Sequence, residues 1–269
     1  MEKSTVIGIF LGLIGVFVGM AIKGANMAIL INPAAFLIIF VGTAASIFIA
    51  FPMSEVKKFP TLLKIAFTEQ KLIPKAELIR LFTEWAMITR REGLLALESH
   101  VDEIEEPFLR NGMRMIIDGN DHDFVRDVLM EEIAATEERH KVGASMFSQA
   151  GTYAPTLGVL GAVVGLIGAL SNMSDLDVLG SAIASAFVAT LLGIFSGYVL
   201  WHPIANKLKR LSQKEIELKL MMVEGLLSIQ SGVSTIAINQ KLSVFLSPQE
   251  RAEQNEKEEM RGEQEAQTA

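Results

Sequence analysis

Four apolar stretches, each about as long as a bilayer is thick, constrain the fold of this chain more than any other feature. They cover residues 5–22, 34–51, 151–172 and 178–201. A membrane-spanning α-helix needs roughly 20 predominantly apolar residues. A soluble fold with 50% hydrophobic residues and four such runs would have too little polar surface to cover them. The sequence therefore predicts an all-α membrane protein with four transmembrane helices.

Basic residues beside the apolar stretches predict how the chain crosses the membrane. Those that follow the second and fourth stretches are Lys57, Lys58, Lys64, Lys207, Lys209, Arg210 and Lys214. The third and fourth stretches are joined by a loop with two aspartates and no basic residue, and the first connection carries only Lys23. Because Lys and Arg concentrate on the cytoplasmic side, both hairpin tips are predicted outside and both termini inside. The first stretch lacks a strong basic leader and a cleavage site, so it is predicted to be a retained anchor.

The distribution of charge divides the chain into five predicted segments. Residues 1–53 form the first transmembrane hairpin, and 151–205 form the second. Residues 54–150 form a helical cytoplasmic insert, with an apolar face at helical spacing: Leu78, Leu81, Phe82, Trp85 and Ile88. Residues 206–247 form C-terminal cytoplasmic helices. Residues 248–269 are predicted to be a disordered charged tail, since they contain too little apolar surface to offset the entropy of ordering.

Small residues recur on one face of three predicted spans. They are Gly8, Gly12, Gly15 and Gly19 in the first, Gly158, Gly161, Gly165 and Gly168 in the third, and Ala186, Ala189, Gly193 and Gly197 in the fourth. In lipid, small residues let helix backbones approach closely. For the first span we expect packing within the chain. The other two have more small positions than one hairpin contact uses, which favours oligomerisation or a partner helix.

The last two spans lack any ionisable side chain. No Asp, Glu, Lys, Arg or His lies between Val142 and Ser174 or between Val178 and Trp201. A proton relay needs a titratable carrier at membrane depth, so if the protein conducts protons another chain must supply the carboxylate.

Hydroxyls and prolines are the remaining polar features of these spans. The hydroxyls belong to Thr156, Ser171, Ser181, Ser185, Thr190 and Ser196. Such groups usually bond to a carbonyl of their own helix. Pro155 is expected to start the third span and Pro203 to close the fourth, and each proline leaves one helix carbonyl without its donor.

Several kinds of function find no support in the sequence. There is no cysteine, and the four histidines (His100, His122, His140 and His202) lack metal-ligand spacing. No phosphate-binding glycine loop, nucleophile elbow or basic patch with interleaved aromatics occurs. We therefore expect neither an enzyme nor a cofactor, a bound metal or a nucleic-acid partner.

Five short segments resemble the flagellar motor stator A-subunit family, which comprises MotA and its sodium-driven relative PomA. They are Asn-Pro-Ala-Ala at 32–35, Phe-Pro at 51–52, Arg-Arg-Glu-Gly-Leu-Leu-Ala-Leu-Glu at 90–98, Tyr-Ala-Pro-Thr-Leu-Gly at 153–158, and Ala-Thr-Leu-Leu-Gly at 189–193 leading to His-Pro at 202–203. Their order and spacing make the resemblance specific, and it extends from residue 5 to about residue 246.

The resemblance implies a stator unit in the bacterial inner membrane. Five copies of such a chain are thought to surround the helices of two B-subunits (MotB), which carry the missing aspartate. The implied ion-path residues are Pro155, Thr190 and Ala162, and Pro203 would couple proton binding to movement of the cytoplasmic part. Arg90, Arg91 and Glu98 match the family's charged contact with the rotor switch protein FliG.

The resemblance also implies the coupling ion. Sodium-type relatives have a threonine where this chain has Ala162, and a Thr-Thr pair where it has Ala189 and Thr190. Two fewer hydroxyls mean fewer oxygen ligands for a dehydrated sodium ion, so we expect proton coupling.

Two other functions remain open from the sequence. ExbB and TolQ energisers share a hairpin like the third and fourth spans, but they would have three spans. A membrane scaffold without ion flux would also fit a chain that has no intramembrane charge of its own.

Overall fold

A computed structural model describes residues 3–24, 27–170 and 175–253, and the ordered elements in these ranges are all helical. Four helices are long and apolar enough to cross a membrane: Ser4–Ile22, Met27–Ala50, His122–Leu170 and Leu176–Gln230. The predicted all-α fold with four membrane helices is confirmed. Ser171, one of the predicted intramembrane hydroxyls, and residues 254–269 of the predicted tail lie outside the described residues.

The first half of the chain contains two spans and a run of shorter helices. Helix α1 covers Lys3–Ile22, and a 3₁₀ turn covers Met27–Leu30. The second span consists of α2 (Pro33–Phe36), a π-helical turn (Leu37–Val41) and α3 (Gly42–Ala50). The elements that follow are α4 (Met53–Val56), α5 (Phe59–Phe67), α6 (Lys75–Glu92), a 3₁₀ turn (Leu94–Leu97), α7 (Glu98–Val101) and α8 (Pro107–Ile117).

The second half is dominated by two long helices. Helix α9 covers His122–Leu170. Helix α10 (Leu176–Phe195) continues through a π-helical turn (Ser196–Trp201) into α11 (His202–Gln230). Helix α12 (Thr235–Leu242) and a 3₁₀ turn (Ser243–Phe245) follow.

Neither proline of the second hairpin ends a helix. Pro155 lies inside α9, and Pro203 is the second residue of α11, which continues the fourth span without a break. Helix α9 therefore begins well before Pro155, and α11 continues well beyond Pro203. A proline removes one backbone hydrogen bond, which a long helix tolerates, and the wider π-helical turn just before Pro203 accommodates its ring.

The chain divides into two compact units. The first contains the chain up to Gln70 together with Arg139–Leu211, and the second contains Lys71–Glu138 together with the chain from Ser212 onward. Apolar side chains of the first unit form two small clusters. One surrounds Ile39, Ala154 and Ala189, and in the other the ring of Phe59 stacks on Phe147 at 4.3 Å between centroids.

The second unit has an ordinary buried core. Leu78, Phe82 and Trp85 of the predicted apolar face are at most 4% exposed. The ring of Phe82 packs against the backbone at Gly225, where a Cβ atom would stand 2.5 Å from its Cε2. The helical periodicity of α6 is thus confirmed as a core-facing pattern.

Candidate functional site

Helices α9 and α10 touch backbone to backbone. A Cβ atom at Gly158 would stand 2.8 Å from the Ala189 carbonyl oxygen and 3.0 Å from the Gly193 Cα. One at Gly193 would stand 2.7 Å from the Ala154 carbonyl oxygen. Real Cβ atoms do not come this close, so both positions require glycine. The two helices form a closely packed antiparallel hairpin, as small residues permit in lipid.

Other small residues set the register of this hairpin. Gly161 faces Ala189, and Gly165 faces Ala186. A Cβ atom at Gly197 would stand 2.7 Å from the Gly151 carbonyl oxygen and 2.8 Å from Pro155 Cγ. The Gly151 carbonyl is the one that Pro155 deprives of its helical donor, and it lies against Gly197 in the π-helical turn that follows α10.

The small-residue faces differ in how much they contact within the chain. Most of the glycines of the second hairpin contact the other helix of that hairpin. In α1, Gly8, Gly15 and Gly19 have nothing within 4 Å of an added Cβ atom, and Gly12 alone of that helix's four face glycines meets a neighbour, Val199. Periodicity identified these faces but could not show what each one contacts.

Three of the four predicted ion-path and coupling residues lie on the hairpin. Pro155 and Ala162 are half-buried and seven residues apart on α9, which places them on one side of that helix. Thr190 is half-buried beside Ala189, and its Oγ1 donates to the Ala186 carbonyl oxygen at 3.3 Å. Pro203 is exposed and 13 residues beyond Thr190, about 20 Å along the helix at 1.5 Å per residue. Pro203 therefore lies well beyond Thr190 along the same continuous helical path.

The other hydroxyls of the second hairpin behave mostly as expected. Thr156 donates to carbonyls of its own helix at 2.9 and 3.0 Å, and Ser196 does so at 3.1 Å. Ser185 is different, because its Oγ accepts from Asn32 Nδ2 at 2.6 Å.

Asn32 is a residue whose role the sequence did not reveal. Its Oδ1 caps α2 by accepting from the Ala35 N–H at 3.1 Å, while its amide joins the second span to the fourth through Ser185. An asparagine followed by proline before an apolar run is typical of a helix N-cap. The bond to Ser185 depends on tertiary packing.

One side of α9 is left uncovered by the described chain. Its exposed residues are spaced by three and four positions: Thr152, Thr156, Val159, Val163, Leu166 and Leu170. This spacing keeps them on one helix face. The face is apolar apart from two threonine hydroxyls, and no group of three or more metal-ligating side chains occurs among the described residues.

The predicted rotor-contact residues surround a sharp turn in the second unit. Arg90 and Arg91 are exposed in the last turn of α6, which ends at Gly93 with φ of +88°. Glu98 is exposed at the start of α7. Within the described part of the chain, neither arginine nor Glu98 forms an ion pair, so these charges are available to a partner.

An apolar side chain projects between these charges. In the 3₁₀ turn Leu97 is buried and Leu94 is half-buried, while Leu95 is 70% exposed. Residues three apart share a face of a 3₁₀ helix, which places Leu94 and Leu97 inward and Leu95 outward.

The loop that follows Glu98 is held by side chains of α8. Arg110 Nε donates to the Ile104 carbonyl oxygen at 2.8 Å, and Arg114 pairs with Asp102 at 2.8 Å. Glu106 caps α8 by accepting from the Leu109 N–H at 2.6 Å. Burial raises the pKa of the Glu106 carboxyl, against the opposing effects of this hydrogen bond and of Lys219.

Comparisons with known proteins agree with this architecture. Residues 6–93 match the motility protein A N-terminal family, and residues 100–221 match the MotA/TolQ/ExbB proton channel family. Motility protein A of Bacillus subtilis (strain 168) is 53% identical over 259 residues, which are 95% of this chain and 96% of that protein.

Two solved structures have the same fold over nearly the whole chain. A chain of the flagellar MotAB stator complex from Bacillus subtilis matches with a TM-score of 0.90 at 53% identity, covering 94% of this chain and 99% of that one. A chain of C. jejuni MotAB matches with a TM-score of 0.88 at 33% identity, covering 92% and 97%. The four spans and the match of residues 6–93 to the motility protein A N-terminal family exclude a three-span ExbB or TolQ relative. The chain belongs to the MotA/TolQ/ExbB proton channel family and, within it, to the A-subunits of flagellar motor stators.

Proposed function

We propose that this chain joins with a MotB-type B-subunit to form a proton channel whose ion flow drives rotation of the flagellum. The observation that carries the proposal is the second hairpin, a closely packed apolar wall whose two spans carry hydroxyls but no Asp, Glu, Lys, Arg or His. The uncovered face of α9 offers a helix from another chain a place to pack. That helix would bring the carboxylate that a proton relay needs.

The residues of the hairpin suggest how the wall contributes. The Thr190 hydroxyl donates its proton to the Ala186 carbonyl oxygen, so its oxygen gives the path a polar surface that does not titrate. Pro155 acts by shaping the contact between the two helices. The Gly151 carbonyl, which Pro155 leaves without a helical donor, lies against Gly197. Ala162 leaves room for water on the same side of α9. Each proton crossing 100 mV releases roughly 2.3 kcal/mol, so torque would draw on many protons per revolution.

Pro203 is proposed to couple the channel to the cytoplasmic part. It follows the π-helical turn at the start of α11, and the same uninterrupted helix continues to Gln230. A change near Thr190 can therefore reach the cytoplasmic residues along one helix.

The proposed assembly has five copies of this chain around two B-subunit helices in the bacterial inner membrane, with both termini cytoplasmic. The basic residues after the second and fourth spans support this orientation. The copy number rests on the family resemblance.

Co-expression with a B-subunit tests the function directly. A stator would restore swimming to cells that lack their own stator, whereas a scaffold would restore no swimming and conduct no protons. Replacing the B-subunit aspartate by asparagine should abolish both swimming and proton flux while the complex still forms.

The contact with FliG is proposed to use Arg90, Arg91 and Glu98. Arg90→Glu and Glu98→Lys should each strongly reduce swimming speed with normal complex formation, because the reversed charge repels the partner groups that the native charge attracts. Arg126→Glu, which changes another exposed arginine of the second unit, is the matched control. If both reversals swim normally, the rotor contact lies elsewhere.

Proton coupling predicts that motility does not depend on sodium. Swimming speed at constant pH and ionic strength should stay unchanged when potassium replaces sodium. This expectation rests on Ala162 and Ala189, which lack the hydroxyls that sodium-type relatives have at these positions. A steep fall in speed of the native stator on removal of sodium would contradict this proposal.

A further inference from the structure

A cavity of about 400 Å³ lies within the first unit. One wall is the beginning of α1, and the other is the π-helical turn Ser196–Trp201 with the first residues of α11. Its walls carry Ser4, Thr5, Gly8, Ile9, Tyr198, Val199, Leu200, Pro203, Ile204 and Lys207. Of the predicted ion-path and coupling residues, Pro203 alone lies in the wall of this cavity.

Polar groups gather at one end of the cavity. Lys207 Nζ donates to Thr5 Oγ1 and, at 3.5 Å, to Ser4 Oγ. Thr5 Oγ1 in turn donates to the Ala66 carbonyl oxygen at 3.3 Å. These bonds hold an ammonium group and two hydroxyls together where α1 begins.

The rest of the cavity is apolar and narrows along the spans. Moving into the membrane, α1 contributes Gly8 and Ile9, and the opposite helix contributes Ile204 and then Val199. The cleft closes at Gly12, where an added Cβ atom would stand 2.6 Å from Val199 Cγ1. At Gly8, by contrast, an added Cβ atom would have nothing within 4 Å.

We propose that this cavity binds an anionic phospholipid of the cytoplasmic leaflet. The phosphate lies by Lys207, Ser4 and Thr5, and one acyl chain follows the cleft past Gly8 and Ile9. A charged end next to an apolar cleft parallel to the spans matches a phospholipid, whereas a free phosphate would leave the cleft unfilled. Cationic groups at the cytoplasmic surface attract anionic lipids. The choice of leaflet rests on the proposed orientation.

Occupancy of this cavity has a consequence for coupling. Pro203 and Tyr198 form part of its wall, so a bound acyl chain supports the helix at the point where the π-helical turn meets α11. The lipid thereby limits the positions that Pro203 can take.

Native mass spectrometry of the purified stator complex tests the site, with phosphatidylglycerol, phosphatidylcholine and inorganic phosphate as probes. Lys207→Gln should weaken phosphatidylglycerol binding about fivefold, as expected for one lysine at an anionic lipid surface. Gly8→Leu should weaken it by filling the cleft without touching the charge. Lys209→Gln and Gly19→Leu are the matched controls, an exposed lysine and an open glycine outside the cavity. Lys207→Arg keeps the charge and should retain binding.

Three results would overturn the proposal: equal binding of the two lipids, displacement of phosphatidylglycerol by equimolar inorganic phosphate, or equal losses in the test and control variants. The proposed function is judged separately. A complex that conducts protons without retaining phosphatidylglycerol disproves the lipid site alone, and one that retains it without conducting disproves the function alone.

Discussion

Gly158→Val is expected to abolish swimming and proton flux by separating α9 from α10. The new side chain would be placed against the Ala189 carbonyl oxygen and the Gly193 Cα, which are backbone atoms and cannot rotate away. Overpacking a closely packed core costs about 1–3 kcal/mol, and here a whole helix must move. The measurement is the thermal unfolding midpoint of the purified complex, together with swimming speed.

Gly168→Val is the control for this prediction. It makes the same change on the same helix at a position where an added Cβ atom meets nothing within 4 Å. We expect its unfolding midpoint to stay close to that of the native complex. If both valine variants lose stability equally, the close contact at Gly158 is not the cause.

Thr190→Leu is expected to lower proton flux by about tenfold or more, since an added barrier of about 1.4 kcal/mol slows a rate tenfold. Thr190 is half-buried on the wall of the proposed path, and leucine would occupy space that water needs there. Membrane insertion depends on overall apolarity, so the amount of assembled complex should not fall. Flux would be measured as the acidification of cells that overproduce the complex.

Two smaller changes at Thr190 separate volume from polarity. Thr190→Ser keeps the hydroxyl and should retain most of the flux. Thr190→Val keeps the shape but removes the hydroxyl, so its flux shows how much the polar surface contributes. If the leucine variant conducts protons at the native rate, Thr190 does not line the proton path.

The sequence predicted the parts of this fold that depend on composition and length. Four apolar runs gave four spans, and the spacing of Leu78, Phe82 and Trp85 gave the buried face of α6. The lack of Asp, Glu, Lys, Arg and His in the last two spans is a property of the sequence itself, and it predicts that another chain must supply the carboxylate if the protein conducts protons.

Features that depend on tertiary contact could not be predicted in this way. The glycines of α1 and α9 look alike in the sequence, but only their neighbours show that Gly158 is enclosed and Gly15 is open. The Asn32–Ser185 hydrogen bond joins residues 153 positions apart. The sequence also does not show that the helices around Pro155 and Pro203 continue past these residues, because a long helix can tolerate one missing hydrogen bond.

Helix α10 continues into α11 through one π-helical turn, so the stiffness of this helix governs how a twist of the fourth span is passed along it. A flexible linker at the membrane surface would absorb a small twist as bending of its backbone. A continuous helix transmits the same twist as torsion, because each turn is fastened to the next by hydrogen bonds. If Pro203 couples the channel to the cytoplasmic part as proposed, the torsional stiffness of this helix would set how much of each proton's work reaches the cytoplasmic residues as rotation.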